Sequence, residues 1–398
     1  MQLPDYPAIR LRPNVNPRKL RHGFPWVYAN ELVLDRRARK NTPGALVELQ
    51  GHDKAPIALA TFNPNSKIAA RVLDADPQAV VDQAWCEARL KRALDLRQSL
   101  FDAPFYRLVH AEADGFPGVI IDRFGDLAVI QPNAAWAEVH LETLCAALAQ
   151  VTGVSTILKN ASGRARVLEG LDDIDQVMLG QAPSEPIPVP MNGATYMADV
   201  TGGQKTGLFF DQRPNHAFAA GVARGARVLD VFSHVGGFGL AALAAGAADA
   251  TMVDSSAGAL ALAARGAEAM GVSDKLRQRQ GDAFDVLGQL KEEGAVFDLV
   301  VCDPPAFAPN KQALDVGLRA YERIARMAAP LVRPGGILGL CSCSHAAGLE
   351  AFRTASARGI GRAGRQGRLV HQGFAGPDHP LMPQLAESGY LKALFFVL

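Results

Sequence analysis

A chain of 398 residues, 48% apolar and only 20% charged, exceeds one ordinary core and belongs with globular proteins of two or three domains. Its formal charge of +1 excludes a globally basic nucleic-acid binder and leaves local patches to be read along the chain. Five cysteines without framework spacing read as reduced thiols; with no signal-like or membrane-length apolar run, the expected compartment is the cytoplasm, with no membrane partner.

The chain opens on a basic stretch in which Arg10, Arg12, Arg18, Lys19, Arg21, Arg36, Arg37, Arg39 and Lys40 face only Glu31 and Asp35. Short alternating segments such as ALVELQ and IALATFNP, broken by Gly51, Pro56 and Pro64, predict a small β-rich domain over 1–75. Val81, Trp85 and Ala88 recur at helical spacing and predict an amphipathic helix reaching about Leu100. VIIDRFGDLAVIQ predicts a hairpin turning at Phe124, Gly125 and Asp126, and AAWAEVHLETLCAALAQ predicts one further helix, giving an α+β domain over 76–182. APSEPIPVP, residues 182–190, holds four prolines, can continue neither a helix nor a central strand, and reads as a linker.

The third domain, 183–398, begins with YMADVTGGQKTGLFFDQRPNH, an extended pair or loop leading into a helix. RVLDVF, ATMVD, FDLVVCD and GGILGLCS are buried-strand runs; GLAALAAGA, GALALAARGAEAM and the stretch from Leu314 to Leu331 are helical, and GYLKALFFVL is a closing strand. This alternation predicts an α/β domain with a mainly parallel, doubly wound sheet and ligands at the carboxyl ends of its strands. The glycines and arginines from Arg353 to Arg368 suggest a mobile basic loop.

Chemistry gathers at those strand ends. The loop Ser233 to Gly237 departs from a dinucleotide fingerprint, and its glycines permit close backbone approach by a ligand or simply turn strand into helix. Asp254 can accept both hydroxyls of a ribose or help cap the next helix; Asp282 can accept from an adenine amino group or cap in turn. Glycine loop and two acids in successive strand order, without a GKS or GKT phosphate element, favour S-adenosylmethionine over ATP or NAD. The residues assigned to it are Asp230, Phe232, Ser233, Gly236, Gly237 and Phe238 from the first strand end, Asp254 and Ser255 from the second, Asp282 and Ala283 from the third, and Asp303 and Pro304 from the fourth.

Asp303 can also meet the edge of a planar base, with Pro305 beside it and Phe307 stacking on the ring. Cys341 and Cys343 lie two apart at the end of the following strand and in extended geometry face the same way. Both can be structural; a zinc site from Cys302, Cys341, Cys343 and His345 matches no closed framework, and no metal is expected. A thiolate adding at carbon 6 of cytosine would make carbon 5 nucleophilic toward a sulfonium methyl, with Asp303 near N3 of the ring.

With RKLRHGFPWVYANEL, AEADGFPGVIIDRFG, KTGLFFDQRPNH, DVFSHVGGFG, DPPAF, SCSH and DHPLMPQLAESGYLKAL, the chain resembles, over nearly its whole length, the bacterial 23S rRNA cytosine-5 methyltransferases of the large-subunit methyltransferase I type. The resemblance implies an N-terminal PUA domain that binds RNA, a central α+β domain and a C-terminal Rossmann-like methyltransferase domain. It further implies Cys343 as the nucleophile and Phe210, Gln212 and Arg213 in a segment flanking the cofactor. Where some cytosine-5 RNA methyltransferases carry another cysteine after the proline of the fourth-strand motif, this chain has Pro305 and Ala306, so product release rests on another group.

The expected activity is 5-methylcytosine formation in 23S rRNA, with Arg18, Lys19 and Arg21 holding RNA; the sequence is compatible with a homodimer. Two other readings stay open: an N-directed base methyltransferase using Asp303 without a covalent adduct, and a non-catalytic RNA-binding or ribosome-assembly protein.

Overall fold

The computed structural model describes residues 5–202 and 207–398 of the chain, which divides into two compact units. The first runs to Ser184 and includes Asp378–Ser388. It opens with β1 (Ala8–Arg10), α1 (Arg18–Arg21), β2 (Trp26–Val27), β3 (Ala45–Gln50), β4 (Pro56–Phe62) and β5 (Ala70–Asp74), whose strands form a sheet in the order β1-β3-β4-β5-β2. Alternation in ALVELQ turns Val47 and Leu49 onto a core shared with Val27, Leu32, Ala60 and Phe62.

Asp82 then accepts the amide of Trp85 and starts α2 (Gln83–Leu100). A second sheet follows from β6 (Phe105–His110), β7 (Val119–Phe124) and β8 (Leu127–Pro132); the β7–β8 hairpin turns at Gly125, with φ 66°. The expected single helix is two, α3 (Ala135–Val139) and α4 (Leu141–Thr152), divided at His140, which leaves helical ψ. β9 (Thr156–Lys159), α5 (Arg164–Glu169) and β10 (Gln176–Leu179) complete a sheet ordered β10-β9-β8-β7-β6. Most of its buried charges are paired, while Arg123 donates to the carbonyls of Gly125 and Thr152. Arg97, fully buried, clamps Asp114 through two bonds of 2.6 and 2.7 Å and also reaches the carbonyls of Arg107 and Asp378, while Arg107 clamps Asp122 at 2.6 and 3.0 Å.

The second unit starts with β11 (Ile187–Met191) and β12 (Ala194–Ala198), an antiparallel hairpin. The linker expectation holds for the boundary, since the units divide at Ser184, but from Ile187 the segment is strand, and Asn192 and Gly193 both take positive φ, the two-residue turn that matches strand twist. Met191 pairs with Ala194, so Pro188 and Pro190 fall at positions where the missing amides would point away from the partner strand.

Next come α6 (Arg213–Gly221), β13 (Arg227–Val231), α7 (Gly237–Ala244), β14 (Asp249–Asp254), α8 (Ala257–Ala269), β15 (Leu276–Gln280), α9 (Ala283–Glu292) and β16 (Phe297–Cys302). α10 (Leu314–Ala328), β17 (Val332–Ser342), α11 (Leu349–Arg362), β18 (Arg368–Gly373) and β19 (Lys392–Val397) complete the unit. The sheet order is β15-β14-β13-β16-β17-β19-β18, parallel through β17 and antiparallel at β17–β19 and β19–β18. Winding reverses between β13 and β16, and the crevice at that reversal is where such sheets bind ligands.

Residues 353–362, expected in a mobile loop, lie in α11. Gly359 lets this helix close on α10, since a Cβ there would stand 2.3 Å from the Glu322 carbonyl oxygen. Arg365 is held too, donating to the carbonyls of Ala329 and Val332. No helix among the described residues is long and apolar enough to cross a membrane.

Candidate active site

The loop after β13 is backbone under constraint: Phe232, His234 and Gly236 all take left-handed φ, of 63°, 49° and 86°. For the first two this conformation costs energy that the surroundings must supply. They do so by tying the loop to β14, with the Ser233 amide bonding to the Val253 carbonyl and the His234 amide to an Asp254 carboxylate oxygen at 2.8 Å. The other oxygen of Asp254 accepts from Ser256. The helix cap itself is Ser256, so Asp254, half-buried, braces the loop instead. The glycines answer internal packing: a Cβ on Gly237 would meet the His216 ring at 2.6 Å, and one on Gly239 would meet Met252 at 2.6 Å. Asp230, fully buried, accepts the Gly239 amide, and burial pushes its carboxyl up to about 7.

Phe238 is buried in α7, and Ser255 is exposed. At the end of β15, Asp282 caps α9, accepting the amides of Phe284 and Asp285, with Ala283 buried behind it. Both acids assigned to the cofactor therefore have local structural work. Gly281 bonds to the Asp254 carbonyl, which brings the two strand ends together.

Across the reversal point, Asp303 follows β16 and its amide bonds to the Val231 carbonyl. Part of its surface stays open, yet it is densely surrounded: burial first, then the nearby charge of Asp211, push its carboxyl up to about 8. Gln212 opposes this by favouring the charged form, although its Nε2 reaches no hydrogen-bond partner among the described residues. Pro304 is buried and Pro305 exposed. Phe307, expected to stack on a base, is half-buried among Phe232, Phe284 and Tyr321, with ring centroids 6.4, 6.3 and 5.0 Å away.

β17 ends at Ser342, so strand alternation no longer governs Cys343. Cys341 is buried, its thiol pushed far up by burial; Cys343 is half-exposed, with Sγ 3.9 Å from the Pro304 carbonyl oxygen. The two thiols, expected to face the same way, differ in burial and in neighbours. Cys86, Cys145 and Cys302 are buried as well. Flanking serines, which sequence reasoning passed over, fix Cys343 in place. The Ser342 hydroxyl donates to Tyr321 at 2.9 Å, the Tyr321 and Ser344 hydroxyls lie 2.7 Å apart, and the Ala308 amide donates to Ser344 at 2.9 Å. The S-C-S pattern, polar on both sides of the thiol in an otherwise apolar strand, was the available signal.

Phe210, Asp211 and Gln212 form a short helical turn before α6, with Phe210 buried and the Arg213 guanidinium 5.6 Å from its ring centre. Lys205 and Thr206 of the same motif lie outside the described residues. Tyr390 donates to one oxygen of Asp211 at 2.6 Å. Asp211 Oδ1, Gln212 Nε2, His216 Nδ1, Asp230 Oδ1 and Ser233 Oγ are buried polar atoms without a hydrogen-bond partner among the described residues. Such atoms are costly and rare, and their gathering around one strand end fits a polar ligand that completes them.

In the first unit, Arg18 and Arg21 on α1 are exposed, whereas Lys19 is engaged by Glu31 and stands 5.1 Å over the Phe24 ring.

A family model for S-adenosylmethionine-dependent methyltransferases matches residues 125–396, and one for PUA-like domains matches residues 9–75. A Shewanella denitrificans protein named ribosomal RNA large subunit methyltransferase I is 35% identical over 390 residues, covering 97% of this chain and 98% of its own. A Deinococcus radiodurans ribosomal RNA large subunit methyltransferase is 35% identical over 410 residues, covering 99% of each. Among solved structures, a SAM-dependent methyltransferase from Streptococcus mutans matches at TM-score 0.83 and 20% identity, over 98% of this chain and 100% of its own. A methyltransferase complexed with SAH matches at TM-score 0.82 and 20% identity, over 98% and 99%. At that identity the structures show a shared fold.

Proposed function

This chain belongs to the S-adenosylmethionine-dependent methyltransferases, in the group of the ribosomal RNA large subunit methyltransferases, and we propose that it methylates carbon 5 of a cytosine in 23S rRNA through a covalent adduct with Cys343. The observation that carries this reading is Cys343 itself: among the described cysteines it alone escapes burial, and it does so beside the Pro304 carbonyl and the Asp303 strand end. We assign residues 1–75 to RNA binding, 76–182 to the central α+β domain and 183–398 to catalysis. Arg18, Lys19 and Arg21 contribute to RNA capture, and the site of action is the cytoplasm.

Asp254 holds ribose hydroxyls with the face its backbone partners leave open, and Asp282 does the same for an adenine edge. Asp230 and Ser233 offer their unmatched oxygens to the remaining polar groups. Phe232, Gly236, Gly237, Phe238, Ser255, Ala283, Pro304, Phe210, Gln212 and Arg213 complete the walls around it. S-adenosylmethionine supplies an electrophilic methyl carried on a sulfonium.

Cys343 thiolate forms a bond to carbon 6 while N3 of the ring takes the proton that Asp303 retains at neutral pH, because its carboxyl is pushed up to about 8. Carbon 5, now enamine-like, would take the methyl as the sulfonium S–CH3 bond breaks and its electron pair stays on sulfur, leaving a neutral thioether. Loss of the C5 proton to a base expels the thiolate, and the N3 proton returns to Asp303. Pro305 and Phe307 border the ring.

Full-length protein incubated with S-adenosylmethionine and RNA carrying 5-fluorocytosine at the target should methylate once and stall, since fluorine cannot leave as a proton. Peptide mapping should place the crosslink on Cys343, and Cys343→Ala should lose both adduct and turnover while Cys341→Ala keeps both. Robust methylation by Cys343→Ala would discard the covalent route in favour of an N-directed reaction.

A further inference from the structure

β19 pairs antiparallel with β17, which ends one residue before Cys343, and Lys392 lies opposite Ser342. The Lys392 side chain is only 4% exposed, and its Nζ donates to the Ser344 carbonyl at 2.7 Å. No carboxylate of the described residues pairs with it, unlike buried Lys159, which Glu138 and Asp172 face in the first unit. A buried ammonium held by one neutral carbonyl is an expensive arrangement unless an anion forms within reach. Cys343, between the two residues that Lys392 touches or faces, supplies that anion when ionised.

We propose that Lys392 is a positioning residue whose buried ammonium is the counter-ion of the Cys343 thiolate, a role that rests on the reading of Cys343 as nucleophile. The thiol proton leaves to solvent, Lys392 keeps its own, and the ammonium faces the thiolate before the addition and again after elimination. Its bond to the Ser344 carbonyl fixes the charge at the end of β17. Burial holds the Lys392 ammonium down to about 8 while Cys343 pulls it back up, so the two groups feel one another. Among the described residues Tyr321 of α10 also faces Cys343, and Asp303 after β16 faces Cys341. Tyr321 is kept neutral by burial and already bonded to Ser342 and Ser344.

Iodoacetamide alkylation of Cys343 in the full-length protein, followed across a pH series by peptide mass spectrometry, reads the thiolate without requiring methyl transfer. Lys392→Met should move the alkylation midpoint upward by about one pH unit, roughly tenfold less thiolate at neutral pH, and Lys392→Arg should restore it. An unchanged midpoint in Lys392→Met overturns the proposal. Should that variant fail to fold, the reciprocal measurement decides: the Lys392 side-chain carbon resonance should titrate at lower pH in Cys343→Ala than in the wild type, and an identical titration overturns the proposal. A shifted midpoint combined with no 5-fluorocytosine adduct would keep the ion pair and discard the covalent methylation; an adduct with an unshifted midpoint would do the opposite.

Discussion

The two units differ in how most of their buried charge is partnered. In the central sheet of the first, Arg97 and Arg107 each meet a carboxylate through two bonds, and Arg166 and Lys159 share Glu138 and Asp172. Around the strand ends of the second, Asp230, Asp303 and Lys392 enter no ion pair among the described residues, and polar atoms of Asp211, Gln212, His216 and Ser233 stand unmatched. The first arrangement stabilises a fold; the second leaves valence for something the chain does not itself provide. Single unmatched atoms also occur in the first unit, on Arg71, Arg89 and Asn133, but the run through Asp211, Gln212, His216, Asp230 and Ser233 belongs to the second.

Three substitutions test that division, in order of expected effect. Asp303→Asn removes the retained proton and should slow turnover by about 10²–10⁴-fold. Wild-type activity should fall as pH rises through about 8, and the variant should lose that limb. In stability, unlike activity, the variant should gain on wild type as pH rises. A carboxyl raised in the folded state contributes stability that is full below its unfolded value and lost as pH climbs through about 8. Asp303→Asn should therefore melt higher than wild type under alkaline conditions, read by thermal unfolding at matched pH; a lower melting point there would show Asp303 to be structural.

Arg97→Met should cost about 3–5 kcal/mol in denaturant unfolding, because it strands Asp114 in the interior. A cost below about 1 kcal/mol would erase the contrast from the scaffold side. Asp254→Ala should weaken S-adenosylmethionine binding by about 1.5–3 kcal/mol in calorimetry. Because Asp254 also ties the β13 loop to β14, Asp254→Asn serves as its control: it keeps an acceptor for the His234 amide and should lose less affinity than alanine does. Equal affinity in all three proteins would remove Asp254 from the site.

The doubly wound sheet was readable because its buried strands and alanine-rich helices alternate at the expected lengths, and the strand ends carried the acids and thiols that the structure gathers. What escaped has particular causes. Asn192-Gly193 is a strong hairpin signal, but four prolines nearby masked it; only pairing shows that Pro188 and Pro190 sit where no amide is needed. Gly359 reads as flexibility in one dimension and as close helix packing in three. Lys392 lies far along the chain from Cys343, so nothing local hints that β19 returns beside β17. Cys341 and Cys343 looked equivalent because the sequence does not mark where a strand stops.

The left-handed turn through Phe232, His234 and Gly236 has a consequence for the order of assembly. Within the turn the amides of Gly236 and Gly237 bond to the Ser233 carbonyl, but the restraints on Ser233 and His234 themselves come from Val253 and Asp254 of the neighbouring strand, and those act only once β13 and β14 lie side by side. The full turn is therefore expected to close after the two strands pair, which a low φ-value for Phe232→Gly in folding and unfolding kinetics would check. Substitutions that relax it, such as Phe232→Gly, act on how fast the native state opens and leave the rate at which the chain finds its fold nearly untouched.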